Sequence, residues 1–234
     1  TAVKGASYDK EAGIARYSAA VEKPSYTYAT GSSAVSLTVS FSLDMSTLPK
    51  SPFTDVVAGS WYFDAALYAS SHNLMLGTSP TEFSPNITMT RGMLVTVLYR
   101  MNGSPSVSGK TPFTDVRTDE WYSAAVLWAY QNGIVTGMSD TTFAPINNVT
   151  REQMATILFR YTKTAAPDKA KASADLSGFA DAGSVNDWAV DAMRWAVGQK
   201  LIAGITLEQS VYLQPRGNAT RAQAATVLTR YYAQ

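Results

Sequence analysis

Three Thr-Arg pairs carry the chemistry in this chain: Thr90-Arg91, Thr150-Arg151 and Thr220-Arg221. Each threonine precedes an apolar stripe of helical period, so it reads as an N-cap and the arginine as the first helical residue. A helix start carries partial positive charge, and a cation there is disfavoured by roughly 0.3–1 kcal/mol. One misplaced cation needs no explanation, but three at one position do. A bound anion supplies it, because the free N–H groups of a helix start and a guanidinium can converge on one carboxylate or phosphate. The alternative is an internal ion pair with a carboxylate of the same or the next segment, such as Asp55, Asp115 or Asp181. The residues alone leave both readings open.

Three tryptophans, Trp61, Trp121 and Trp188, stand upstream at matching positions. At the start of an amphipathic helix the ordinary reading is core packing, yet an indole at a groove rim can also stack on a sugar face. Gly77, Gly137 and Gly204 read first as backbone geometry, although a bare backbone also lets a ligand approach closely. Asp55, Asp115 and Asp181 read as caps of local turns through Asx-type hydrogen bonds. Arg100, Arg160 and Arg230 fall near helix C-termini, where the dipole favours a cation and no function is required. Catalysis finds little support. His72 is the single histidine, expected on an exposed helix end, and Asn132 and Gln199 replace it elsewhere. There is no metal-ligand cluster, no Walker-type phosphate-binding loop and no G-x-S-x-G nucleophile motif, and no cofactor is expected. Glu120 and Glu152 each occur in one segment only, so a carboxylate pair for glycoside hydrolysis has no evident source.

The elements that must position these residues repeat three times. Phe53-Thr54-Asp55-Val56, Trp61, Gly77, Phe83-Ser84-Pro85 and Thr90-Arg91 recur as Phe113 to Val116, Trp121, Gly137, Phe143-Ala144-Pro145 and Thr150-Arg151. They recur again as Phe179 to Ala182, Trp188, Gly204, Leu213-Gln214-Pro215 and Thr220-Arg221. Trp to Gly is 16 residues each time, and Pro to Arg is six, which means one structural unit used three times. Each unit holds two helices. The first starts near the Trp, as in Trp61, Ala65, Tyr68 and Ala69, and ends near Asn73, Gly133 or Lys200. The second follows the threonine cap, with Gln153 and Gln223 completing capping boxes and Met93 in that place in the first unit. Leu94, Val97 and Leu98, with their counterparts Met154, Ile157, Leu158 and Ala224, Val227, Leu228, form the core stripes. A two-helix unit cannot bury its own apolar face, so the three are expected to pack around a shared axis in a mainly α fold.

Boundaries are expected at 49–105, 106–168 and 169–234 for the three units, with Asn102–Thr111 and Thr162–Gly178 as linkers. Residues 1–48 form a separate β-containing segment. Within it a short helix is expected over Asp9–Val21, and a strand where Val35, Leu37, Val39, Phe41 and Leu43 alternate with Ser and Thr. The chain starts at Thr1 without an initiator Met, and is expected to be a piece of a longer protein whose upstream β domain ends in 1–48. Its 234 residues carry 19 basic and 18 acidic side chains, so no basic footprint for nucleic acid or an acidic membrane exists. No apolar run is long enough to span a bilayer. Zero cysteines exclude disulfides, a thiolate metal site and a cysteine nucleophile.

The ordered set F-x-D-V, W-x-x-x-A, a loop Gly, F-x-P and T-R-x-x resembles the S-layer homology (SLH) domain in three tandem copies, over about residues 53–233. Thr220-Arg221-Ala222-Gln223 and Thr150-Arg151-Glu152-Gln153 are similar to the family's T-R-A-E signature; Thr90-Arg91-Gly92-Met93 loses the polar fourth position. The third copy departs most, with Ala182 and Leu213 in place of Val and Phe and three extra residues between Gly204 and Leu213. The groove holding that loop is the one expected to have altered or lost binding.

The resemblance implies a monomer with internal pseudo-threefold symmetry and grooves between repeats. It implies an extracellular module, in the cell wall or S-layer of a Gram-positive-type bacterium, that anchors a surface protein non-covalently to a secondary cell-wall polysaccharide. The ligand implied is a terminal sugar, typically N-acetylmannosamine, bearing a pyruvate ketal. Its carboxylate fits Arg91, Arg151 and Arg221, and its ring fits Trp61, Trp121 and Trp188. Replacing the three arginines by alanine is then expected to abolish wall binding with the fold intact. Two other readings stay open. One is a protein-docking or lattice-assembly module with structural arginines, and the other is an enzyme whose catalytic domain lies upstream.

Overall fold

The computed structural model describes residues 6–9, 14–17, 51–171 and 173–233. Strand β1 (Ala6–Asp9) pairs antiparallel with β2 (Ile14–Tyr17), Ala6 opposite Tyr17 and Asp9 opposite Ile14. The helix expected over 9–21 is therefore corrected at its described residues, Asp9 and Ile14–Tyr17, where the β-branched Ile14 and the aromatic Tyr17 favour extended backbone. The strand expected over 35–43 lies outside the described residues.

Among the described residues six α-helices follow, two per repeat: α1 (Phe63–Ser71) and α2 (Arg91–Met101), α3 (Ser123–Gln131) and α4 (Arg151–Ala165), then α5 (Val190–Gly198) and α6 (Arg221–Tyr232). The fold is mainly α. The first helix of each repeat begins two residues beyond its tryptophan, after a tight turn. Its end lies where the sequence marks it. Asn73, Gly133 and Lys200 take left-handed φ values of 55°, 68° and 57°. The next N–H, of Leu74, Ile134 or Leu201, then reaches back to the carbonyl of Ala69, Ala129 or Ala196 at 2.8 Å. That bond satisfies an orphan carbonyl, and the same three residues bury their side chains against the core.

The second helices are capped as their sequence predicts. Thr90, Thr150 and Thr220 accept from the N–H three residues on, and Gln153 and Gln223 return a bond to the cap's own N–H at 3.2 and 3.1 Å. Met93 can return none, so α2 has half a capping box. Helix α4 runs four residues into the expected linker, and Pro167–Lys171 adds a 3-10 turn. The three extra residues of the third repeat fold into a hairpin, β3 (Ile205–Leu207) with β4 (Ser210–Tyr212).

Burial is shared across repeats. Helix α2 packs on α3, α4 on α5, and α6 returns to α1. Just ahead of the second helices, the backbone closes a cycle. Met89 donates to the Ala219 carbonyl at 2.8 Å, Ala219 to Val149 at 2.9 Å, and Val149 to Met89 at 2.9 Å. All three are fully buried, so these bonds are formed away from competing water. Helices α1 and α6 are thereby neighbours, and the short helices gain from tertiary packing a stability they lack alone.

Candidate ligand-binding grooves

The three arginines are buried and make the same bond in cyclic order. Arg91 Nε donates to the Phe143 carbonyl at 2.9 Å, Arg151 Nε to Leu213 at 2.7 Å, and Arg221 Nε to Phe83 at 2.9 Å. Each guanidinium thus joins its own helix start to the F-x-P segment of another repeat. Arg91 and Arg221 also lie over the Phe143 and Phe83 rings, at 4.7 and 4.8 Å, in cation–π geometry. The backbone amides expected to be free at these helix starts are already bonded. Arg91 N–H donates to Asn147 and Gly92 N–H to Pro145, and the pattern recurs at Arg151 and Glu152 and at Arg221 and Ala222. An anion therefore cannot sit in the amide crown of the helix; it would meet the terminal amino edge of the guanidinium.

Nor do the arginines form the alternative ion pairs. Both oxygens of Asp55 accept backbone N–H groups, from Phe83 at 2.8 Å and Ser84 at 2.6 Å. Asp115 does the same for Phe143 and Ala144, and Asp181 for Leu213 and Gln214. These reach 28 residues or more along the chain, so the local Asx turn expected from sequence is corrected to a clamp across each repeat. One residue of each repeat is held from both sides: Phe83, Phe143 and Leu213 donate their N–H to Asp55, Asp115 and Asp181, and their carbonyls accept from Arg221, Arg91 and Arg151. Burial opposes the charge of Arg91 and pulls its pKa down to about 10, with Asp115 pulling it back and Arg160 adding to the fall. Arg151 and Arg221 are lowered for the same first reason, each offset by its aspartate, Asp181 or Asp55. All stay cationic at neutral pH.

Two grooves gather the candidate residues, each drawing on all three repeats. The first, of about 360 Å³, is lined by Arg91, Gly137, Gln153, Thr156, Arg160 and Trp188, among others. The second, of about 790 Å³, is lined by Arg151, Gly204, Gln223, Thr226, Arg230 and Trp61, with Asp64, Tyr68 and the Ile205–Thr206 strand widening it. The tryptophans are 48%, 58% and 53% exposed at 61, 121 and 188, which corrects the core-packing reading. Their neighbours explain why. Tyr122 and Phe63 fill the core beside Trp121 and Trp61, while Trp128 and Trp195, one helical face further on, are the buried indoles. Asp55, Asp115 and Asp181 line neither groove. Arg221, Gly77 and Trp121 do not enter them either.

Two of the loop glycines, Gly137 and Gly204, are fixed by space as well as by φ. A Cβ on Gly137, at φ +81°, would meet the Phe113 ring at 2.6 Å, and one on Gly204, at +84°, the Phe179 ring at 2.9 Å. The groove floor is therefore bare backbone laid against the phenylalanine of the F-x-D segment. The hairpin of the third repeat does not fill its groove; it forms one wall.

Arg160 and Arg230, which the sequence reads as needing no function, line the grooves, together with the capping residues Gln153 and Gln223 and with Thr156 and Thr226, which sequence reading does not single out. Their signal is a polar stripe at i, i+3 and i+7 on the second helix, flanking the core stripe. Arg160 Nη1 donates to Thr136 Oγ1 at 3.3 Å, and Arg230 Nη1 to the Leu201 carbonyl at 3.2 Å, so both are held at the groove edge. Each groove thus pairs two guanidinium groups with one exposed indole. Among the described residues no carboxylate lines the first groove, and Asp64 alone lines the second. Glu152 is buried, its carboxylate accepting from the Asn186 backbone at 3.1 Å and from its side-chain amide, which ties α4 to the third repeat. His72 stacks on Tyr68 at 3.9 Å on the exposed end of α1.

The family model for the S-layer homology domain matches residues 52–92, 112–155 and 178–225. An endoglucanase of a Bacillus species is 34% identical over 178 residues, covering 76% of this chain and 18% of that protein. The surface-layer 125 kDa protein of Lysinibacillus sphaericus is 32% identical over 154 residues, 66% of this chain and 12% of that protein. An amylopullulanase of Thermoanaerobacterium thermosulfurigenes is 28% identical over 176 residues, 75% of this chain and 9% of that protein. The chain spans less than a fifth of the length of each of these relatives.

Proposed function

The chain belongs to the S-layer homology family, a cell-surface module, and from that premise we propose that it is a non-covalent anchor to the cell wall. It holds an anionic secondary cell-wall polysaccharide, whose terminal sugar carries a pyruvate ketal, in the grooves between repeats. The observation that carries this reading is the composition of the two grooves: two arginines, one exposed tryptophan and a bare glycine backbone in each. The ketal carboxylate meets the terminal amino edges of Arg91 and Arg160, or of Arg151 and Arg230. The sugar ring lies on Trp188 or Trp61, with Gly137 or Gly204 beneath. A hydrogen bond to a charged group contributes about 1.5–3 kcal/mol, and two occupied grooves on one polymer-covered wall add avidity. Asp115 and Asp181 act at one remove, fixing the loop segments whose carbonyls orient Arg91 and Arg151.

The module itself catalyses nothing in this reading; relatives named as enzymes share only a small part of their length with it. The test uses the exposed indoles. Trp61→Ala with Trp188→Ala is expected to lower affinity for purified pyruvylated wall polymer at least tenfold while leaving the helical circular dichroism unchanged. Undiminished binding by the double variant would contradict the proposal.

A further inference from the structure

The three junctions between repeats are not equivalent. The first and second repeats are tethered by the chain, as are the second and third, whereas the third meets the first through non-covalent contacts alone. At that junction Arg221 makes a bond its counterparts lack: besides Nε to Phe83, its Nη2 donates to the Leu76 carbonyl at 2.7 Å. Leu76 occupies the place of Thr136, whose side chain lines the first groove and accepts from Arg160. Three more differences fall at the same junction. Met93 stands where Gln153 and Gln223 line their grooves. Arg100 is exposed, where Arg160 and Arg230 are half-buried and held. Gly77 does not share the positive φ of Gly137 and Gly204.

Taken as chemistry, a carboxylate arriving there would have to displace a short charge-assisted bond and would find an isobutyl and a thioether side chain in place of a hydroxyl and an amide. We infer that the junction of the third and first repeats is a clasp that closes the ring, and that the chain holds two anionic sugars, not three. This rests on the anchoring reading above. It also gives the extra bond a purpose, since ring closure between segments some 145 residues apart has no linker to limit its opening.

Calorimetric titration of the full chain with the methyl glycoside of pyruvate-ketal N-acetylmannosamine tests it. Two sites per chain are expected, with Arg160→Ala and Arg230→Ala each removing one and Arg100→Ala removing none. Three sites, or a site lost with Arg100→Ala, overturns the inference and leaves the anchoring reading standing. No binding by the unmodified chain overturns both. The clasp has a ligand-free readout as well. A lysine cannot reach two carbonyls at once as the planar guanidinium does, so Arg221→Lys is expected to lower the thermal midpoint further than Arg91→Lys or Arg151→Lys. An equal or smaller drop contradicts the clasp.

Discussion

Arg91 faces two environments. Its Nε donates to the Phe143 carbonyl and its guanidinium lies over the Phe143 ring, while the same residue lines the first groove. On the anchoring proposal, fold and site are therefore coupled in one side chain, and Arg151 repeats the carbonyl bond and the groove position without the ring contact. Replacing Arg91 by alanine removes a charge-assisted bond and leaves a buried carbonyl without its donor. The expected loss is about 2–4 kcal/mol of unfolding free energy, measured by denaturant titration. A loss below about 0.5 kcal/mol would show that the Nε bond is not structural. Three such changes together would approach the total stability of a small domain, roughly 5–15 kcal/mol, so the triple alanine variant is expected to unfold. This reverses the expectation from sequence. The sequence located the arginines correctly at the helix start, but the partner is a backbone carbonyl from another repeat, and carbonyls have no signature in a residue string. For the same reason the tryptophans are the better probes, because their exposure separates binding from folding.

At the scale of the helix, the chain was read most directly. Thr150 with Gln153 and Thr220 with Gln223 announce their capping boxes, and the left-handed ends at Asn73, Gly133 and Lys200 coincide with the ends expected from the apolar period. Local chemistry decides these features, so local sequence reveals them. What remained hidden was the use of the face beside the core stripe, because a polar stripe such as Gln153, Thr156 and Arg160 is also what any solvated helix shows. The N-terminal hairpin was missed on similar grounds, a short run that helical and extended periods fit equally well. Helix α2 supplies a prediction here. Met93→Gln completes its capping box and is expected to raise stability by about 0.5–1 kcal/mol, read from the shift in the denaturation midpoint. A decrease would mean that the partly buried Met93 contributes more by packing than the cap can return.

In the molecule as a whole, the cycle of bonds through Met89, Val149 and Ala219 and the return of α6 to α1 make three weak units one cooperative body. The threefold repeat was legible as spacing; that the repeats exchange helices, arginines and loop carbonyls was not, since spacing does not say which unit meets which. The grooves are products of that exchange. Each exists only because an arginine from one repeat, a loop and stripe from the next and a tryptophan from the third converge. The central claim is that these convergences read a carboxylate on a wall polymer. Co-sedimentation with purified cell-wall sacculi, before and after chemical removal of pyruvate ketals, tests it most directly. The account predicts that the chain pellets with untreated sacculi and stays in solution once the ketals are removed. Equal pelleting with both preparations would contradict it.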